Sequence, residues 1–129
     1  MVPKDLLYTS QHEWIRMEDG VATVGITEHA QEALGDITFV ELPTMGAELS
    51  QGDEACSLES SKAAATIYAP VGGKVTAGNE ALDADPGLVN SDPYGQGWVY
   101  RLQVSNLEEL AALMTPDRYE TFLAEEDGN

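Results

Sequence analysis

Short alternating runs, each broken after a few residues by glycine, proline or an acidic turn, set the strongest limit on what this chain can fold into. Glu13 to Met17 and Val21 to Ile26 flank Glu18-Asp19-Gly20, a hairpin signal because glycine tolerates the positive φ such turns need. Ile37 to Leu42 alternates again and ends at Pro43. Further strands are expected around Ala55 to Leu58, Ala64 to Tyr68 and Lys74 to Ala77. From Gly97 to Val104 the period is two, with Trp98, Tyr100, Leu102 and Val104 on one face. One helix interrupts this pattern: Thr27 is placed to cap Glu28 to Leu34, and Gly35 stands where helices often stop.

The period changes near the end of the chain. Ser105-Asn106-Leu107-Glu108 has capping-box spacing, and Leu107, Leu110, Leu113 and Met114 follow as an apolar helical stripe. Thr115-Pro116-Asp117 restarts a helix with Tyr119, Phe122 and Leu123 on its inner side. The tail from Glu125 to Asn129 is expected to fray. The architecture is thus mainly β, with a short internal helix and a C-terminal helical cover.

Two octets echo each other at an offset of 26: Gly46-Ala47-Glu48-Leu49-Ser50-Gln51-Gly52-Asp53 and Gly72-Gly73-Lys74-Val75-Thr76-Ala77-Gly78-Asn79. Such an echo suggests two similar units related by a pseudo-two-fold, with Lys62 between them at the far tip of a turn. Lys62 is one of only three lysines and the only Lys or Arg between Arg16 and Lys74. Its serine and alanine neighbours make a small, unobstructed tip from which an ε-amine is reachable by a modifying enzyme.

At 129 residues one domain is expected over 1–129, with a β core at about 7–104 and C-terminal helices at about 105–126. Six basic against 23 acidic residues leave a net charge of −17, which repels phosphate backbones and anionic membranes. Nucleic acid and membrane are therefore not expected partners, and no apolar run approaches the ~20 residues of a membrane span. The N-terminus lacks an apolar signal core and an Arg-rich transit character, and the lone Cys56 excludes an internal disulfide. A cytoplasmic monomer is the expectation.

Catalysis by the chain alone finds little support. Cys56 sits in an apolar alternation, where a lone cysteine is usually a small buried residue. His12-Glu13-Trp14 lacks the second histidine one helical turn on that a zincin requires. His12, His29 and Cys56 do not have zinc-site spacing, so no metal is expected. Gly72-Gly73 has neither the spacing nor the following helix of a phosphate loop.

The chain resembles the H-protein family of the glycine cleavage system over essentially its whole length. The segments that carry the resemblance are His12-Glu13-Trp14, Val24 to Gln31, Leu34-Gly35-Asp36, Leu42-Pro43, Glu59-Ser60-Ser61-Lys62-Ala63, Ala69-Pro70-Val71, Leu88 to Tyr94 and Gly97-Trp98. The resemblance implies a lipoyl/biotinyl-type β sandwich (a hybrid barrel-sandwich) and lipoate in amide linkage on Lys62. It also implies recognition marks for the lipoate-attaching enzyme: a Glu three before the lysine, a Gly sixteen before and a Gly eleven after, here Glu59, Gly46 and Gly73. Biotin carriers usually flank the lysine with methionines, where this chain has Ser61 and Ala63. Lipoyl domains of 2-oxo acid dehydrogenases usually have Asp before the lysine, and lack the His-Glu-Trp segment and helical tail.

The resemblance further implies a non-catalytic carrier with three enzyme partners. Glycine decarboxylase (P protein) loads an aminomethyl group, aminomethyltransferase (T protein) removes it, and dihydrolipoamide dehydrogenase (L protein) reoxidises the arm. An H-like relay that passes lipoate to 2-oxo acid dehydrogenases is the alternative. The aminomethyl adduct is cationic and hydrolyses readily, so the loaded arm needs a dry groove and a carboxylate. In the family an acid at the position of Glu13 helps hold that amine. A second acid often lies four residues past the lysine, where this chain departs with Thr66.

Overall fold

The computed structural model describes residues 2–127. In chain order the elements are β1 (Leu7–Tyr8), β2 (Glu13–Glu18), β3 (Val21–Ile26), α1 (Glu28–Leu34), β4 (Ile37–Glu41), β5 (Glu48–Leu49), β6 (Glu54–Ser60) and β7 (Ala64–Tyr68). They continue with β8 (Gly73–Gly78), α2 (Ala81–Ala84), α3 (Leu88–Ser91), β9 (Tyr100–Val104), a 3-10 helix (Leu107–Ala112) and α4 (Pro116–Asp127). Two antiparallel sheets face each other, one of six strands in the order β1-β2-β3-β9-β8-β5 and one of three in the order β4-β6-β7.

The β2–β3 turn follows from its sequence. Asp19 and Gly20 both have positive φ, at 50° and 80°, and Glu18 pairs with Val21. That is the two-residue turn whose twist matches the flanking strands. Helix α1 is bounded as its residues dictate: Thr27 Oγ1 accepts from Ala30 N, and Gly35 closes the helix at φ 80°.

The sandwich core lies between the sheets, with Ile15, Val24, Tyr100 and Leu102 from one and Val40, Leu58 and Ile67 from the other. Burying each such side chain contributes about 1.5–3 kcal/mol. A second cluster, Leu6, Tyr8, Trp14 and Tyr119, fills the space beneath α4. Trp14 therefore faces away from the main core, and its ring lies across Gly25, where a Cβ would come within 2.6 Å of it.

The echoed octets meet each other. Glu48 pairs with Lys74, which is its own counterpart at the offset of 26, and Leu49 with Gly73. A local two-fold passes through the Glu48–Lys74 pair.

Four expectations need correction. Strand β9 begins at Tyr100, not Gly97, because Asn79 Nδ2 takes the carbonyls of Gln96 and Trp98; Trp98 packs on the second cluster beneath the Arg101 guanidinium. No capping box forms at Ser105. Asn106 caps a 3-10 helix by accepting from Glu108 N, and Glu109 reaches back to Gly72 N instead. Leu107 is 59 % exposed, outside the apolar stripe assigned to it, because that tighter helix starts one residue later. Helix α4 extends through Glu125 and Glu126 to Asp127, while Gly128 and Asn129 lie outside the described residues.

Candidate functional site

Lys62 stands at the tip of the β6–β7 hairpin, exposed along with Ser61, Ala63 and Ala64. Ser60 holds the turn. Its backbone N–H donates to Ala63 O, and its Oγ accepts from the N–H groups of Lys62 (3.2 Å) and Ala63 (3.0 Å). A hydroxyl can tie a tight turn in this way where no sheet partner remains, leaving the lysine clear of other strands.

The turn rests on a platform that the sequence reading gave no role. Ser61 N donates to Asp36 O, and the stem of Lys62 lies over Gly35, where a Cβ would sit 3.4 Å from Lys62 Cε. Asn90 fastens this platform: its Nδ2 donates to Gly35 O and Gln31 Oε1, and its Oδ1 accepts from Ile37 N. Asn90 and Gly35 lie in segments that carry the family resemblance, which was the one signal that could have marked them.

Beside the hairpin runs a groove of about 340 Å³ between α1 and β7, walled by Gln11, His12, Ala33, Leu34, Ala65 and Thr66. Its walls are mostly small or apolar. Thr66 puts a neutral hydroxyl on its rim.

Glu13 is 2 % exposed on the core-facing side of β2. Its carboxylate accepts from Thr9 Oγ1 at 3.0 Å and from Tyr68 N at 2.7 Å, joining the two sheets at the base of the hairpin. Burial raises its pKa, and the two hydrogen bonds only partly offset this. Glu13 also lines a second cleft, of about 290 Å³, which shares Gln11 and Tyr68 with the groove.

The recognition marks divide between the sheets. Glu59 is exposed on β6 between Phe39 and Ala64, next to the turn. Gly46 and Gly73 belong to the β5–β8 segment of the other sheet, and only Gly46 has a positive φ, at 82°. Gly73 is glycine for a different reason: a Cβ there would lie 2.2 Å from Gln103 O of β9. Cys56 is buried, and its thiol is pushed up to about 12 by burial and then by the charges of Glu13 and Glu41. Such a thiol is neutral and inert at ordinary pH.

A β sandwich that offers one lysine on an isolated hairpin tip, beside a groove, has the architecture of a swinging-arm carrier domain. The glycine cleavage H-protein model matches residues 6–126. The chain is 52% identical to the glycine cleavage system H protein of Cronobacter sakazakii over 126 residues, 97% of this chain and 98% of that one. It is 51% identical to that of Psychrobacter cryohalolentis over 123 residues, 95% and 98% of the two chains. A solved structure of a glycine cleavage system H protein from Mycobacterium marinum superposes with a TM-score of 0.86 at 38% identity, covering 99% of this chain and 100% of that one. The chain belongs to the glycine cleavage H-protein family, and its fold is the lipoyl-type β sandwich with a C-terminal helix.

Proposed function

We propose that this chain is the lipoyl carrier of a glycine cleavage system, with lipoate amide-linked to Lys62. The observation that carries the reading is the Lys62 turn: an exposed ε-amine on a Ser60-tied hairpin tip, with its stem over Gly35 and an apolar groove alongside. Bound there, lipoate supplies a disulfide–dithiol pair that accepts a one-carbon amine unit together with two electrons. The chain's own residues present and shelter. The hairpin holds the attachment point clear of the body, so that one tether reaches several active sites in turn at high effective concentration. The groove between α1 and β7 offers the arm a place out of water. Glu13, buried and without a salt bridge among the described residues, is the group that a docked ammonium would compensate, since its carboxylate has acceptor sites beyond the two in use.

The chain carries no catalytic machinery of its own in this reading. Glycine decarboxylase, aminomethyltransferase and dihydrolipoamide dehydrogenase supply the chemistry, and a lipoate-attaching enzyme that reads Glu59, Gly46 and Gly73 supplies the modification. The net charge of −17 steers it toward basic surfaces on those partners. Among the described residues no helix is long and apolar enough to cross a membrane. The glycine-cleavage naming of the relatives favours this role over a lipoate relay to 2-oxo acid dehydrogenases.

The test is peptide mapping after incubation with a lipoate ligase, followed by glycine decarboxylation with the three partner enzymes. One lipoyl group on Lys62 and none on Lys4 or Lys74 is expected. Label elsewhere, or a lipoylated chain inert with all three partners, overturns the proposal.

A further inference from the structure

The spacing of His12, His29 and Cys56 predicts no metal site, yet the fold brings the two histidines together with Glu126. Their ligand atoms all lie within 4.8 Å of one another. His12 Nε2 is 3.4 Å from Glu126 Oε1, and the two imidazole rings are 4.4 Å apart at a tilt of 30°. Three segments contribute: the loop before β2, the first turn of α1 and the last turn of α4. We propose that His12, His29 and Glu126 form a binding site for a divalent transition-metal ion of the zinc class, completed by water.

Zinc takes imidazole nitrogen and carboxylate oxygen at about 2.0–2.2 Å in a tetrahedral shell, and two histidines with one glutamate are a known donor set for it. The corresponding ligand-to-ligand separation is roughly 3.4 Å. The His12–Glu126 pair already has it, and rotation of the half-buried His29 and the exposed Glu126 closes the rest. The ion takes the place of the proton that would otherwise join His12 to Glu126.

The surroundings of His12 suit a ligand. Its Nδ1 is 2.8 Å from Tyr119 Oη, which is 2.8 Å from Thr27 Oγ1. These hydroxyls can run their hydrogen bonds either way, so Nδ1–H can donate to Tyr119 while Nε2 faces Glu126. Metal-bound histidines typically have their other nitrogen fixed like this.

A second argument comes from charge. The last turn of α4 contains no basic residue, yet it carries Glu125 and Glu126. Acids at a helix C-terminus oppose the helix dipole, and a cation there is stabilising. A divalent ion would fasten the end of α4 to α1, beside the groove that His12 helps to wall.

The test is titration of the metal-free, unlipoylated full-length chain with Zn2+ by calorimetry and with Co2+ by absorbance, so that no arm dithiol competes. One equivalent is expected to bind, with a tenfold excess of Mg2+ or Ca2+ failing to displace it. His29→Ala and Glu126→Gln should each weaken binding by about tenfold or more, as losing even an outer partner can. In the wild type, imidazole 15N resonances of both histidines should shift on saturation, a readout independent of whether a variant folds. Absence of saturable binding, unchanged affinity in both variants, displacement by Ca2+, or unshifted imidazole signals would overturn the site, the last two by assigning binding to surface carboxylates.

Discussion

Lys62 and Lys74 are both exposed, and their backbones are held in opposite ways. Lys74 lies inside β8, paired with Glu48 of β5 on one side and Gln103 of β9 on the other. Lys62 stands beyond the last β6–β7 pair, Glu59 with Ala64, where Ser60 ties the turn and Ser61 N donates to Asp36 O. A modifying enzyme must close around a lysine as well as touch its amine. Protrusion of the backbone, rather than exposure of the side chain, separates the two. The ladder side of the molecule provides stability, and the hairpin side provides presentation.

The largest effect expected is all-or-none. Lys62→Arg should abolish lipoylation and carrier activity with the fold intact, whereas Lys74→Arg should leave both unchanged. Mass spectrometry and circular dichroism read this directly, and lipoylation surviving in Lys62→Arg would break the comparison at once.

Gly73→Val tests the ladder side. A Cβ meeting Gln103 O at 2.2 Å forces β8 away from β9, which should cost about 3 kcal/mol, at the upper end for overpacking. Denaturant unfolding measures it. A loss below about 1 kcal/mol would mean that β8 and β9 adjust and that Gly73 serves something else.

Glu13 belongs to both sides, since it hangs from β2 and grips Tyr68 at the hairpin's base. If it holds the cargo amine, Glu13→Gln should speed formaldehyde release from the loaded protein by about tenfold or more, the equivalent of a charge-assisted hydrogen bond of roughly 1.5–3 kcal/mol. Equal rates would remove Glu13 from the arm site. Its pH behaviour has a defined sign. Because the folded pKa is raised above the ordinary glutamate value of 4.5, stability from this group is fully present below that value and is lost as pH rises through the folded pKa. Glu13→Gln should flatten that part of the stability–pH profile.

Two smaller changes sharpen the contrast. Ser60→Ala removes the turn's side-chain hydrogen bonds and should cost about 1 kcal/mol while slowing lipoylation disproportionately. Gly46→Ala meets nothing within 4 Å, so its cost is backbone alone, about 1 kcal/mol for φ 82°. Lipoylation kinetics unchanged in Gly46→Ala would assign this glycine to the fold and not to the attaching enzyme.

Local periodicity and turn chemistry determined much of this protein. Asp19-Gly20 could only close a tight hairpin, Thr27 and Gly35 bracket α1 as their caps require, and Ser61-Lys62-Ala63 leaves a tip with nothing bulky around it. The exposed hairpin-tip placement of Lys62 was legible because a lone lysine between two strands needs no distant partner to reach solvent. Elements of two or four residues, such as β1, β5 and α2, escaped because so few residues carry no period. Glu13 read as a strand residue, and only the family resemblance offered it a role. Only the opposing sheet buries it, through an N–H of Tyr68 that lies 55 residues away. Gly73 read as part of the echoed octet and as a mark implied by the resemblance, and only the approach of β9 reveals that what it lacks is room for a Cβ. Asn90 beneath the Lys62 turn, and the meeting of His12, His29 and Glu126, were decided by the tertiary structure alone. Hydrogen bonds and ligand contacts between remote segments depend on packing, and no local pattern in the chain encodes them.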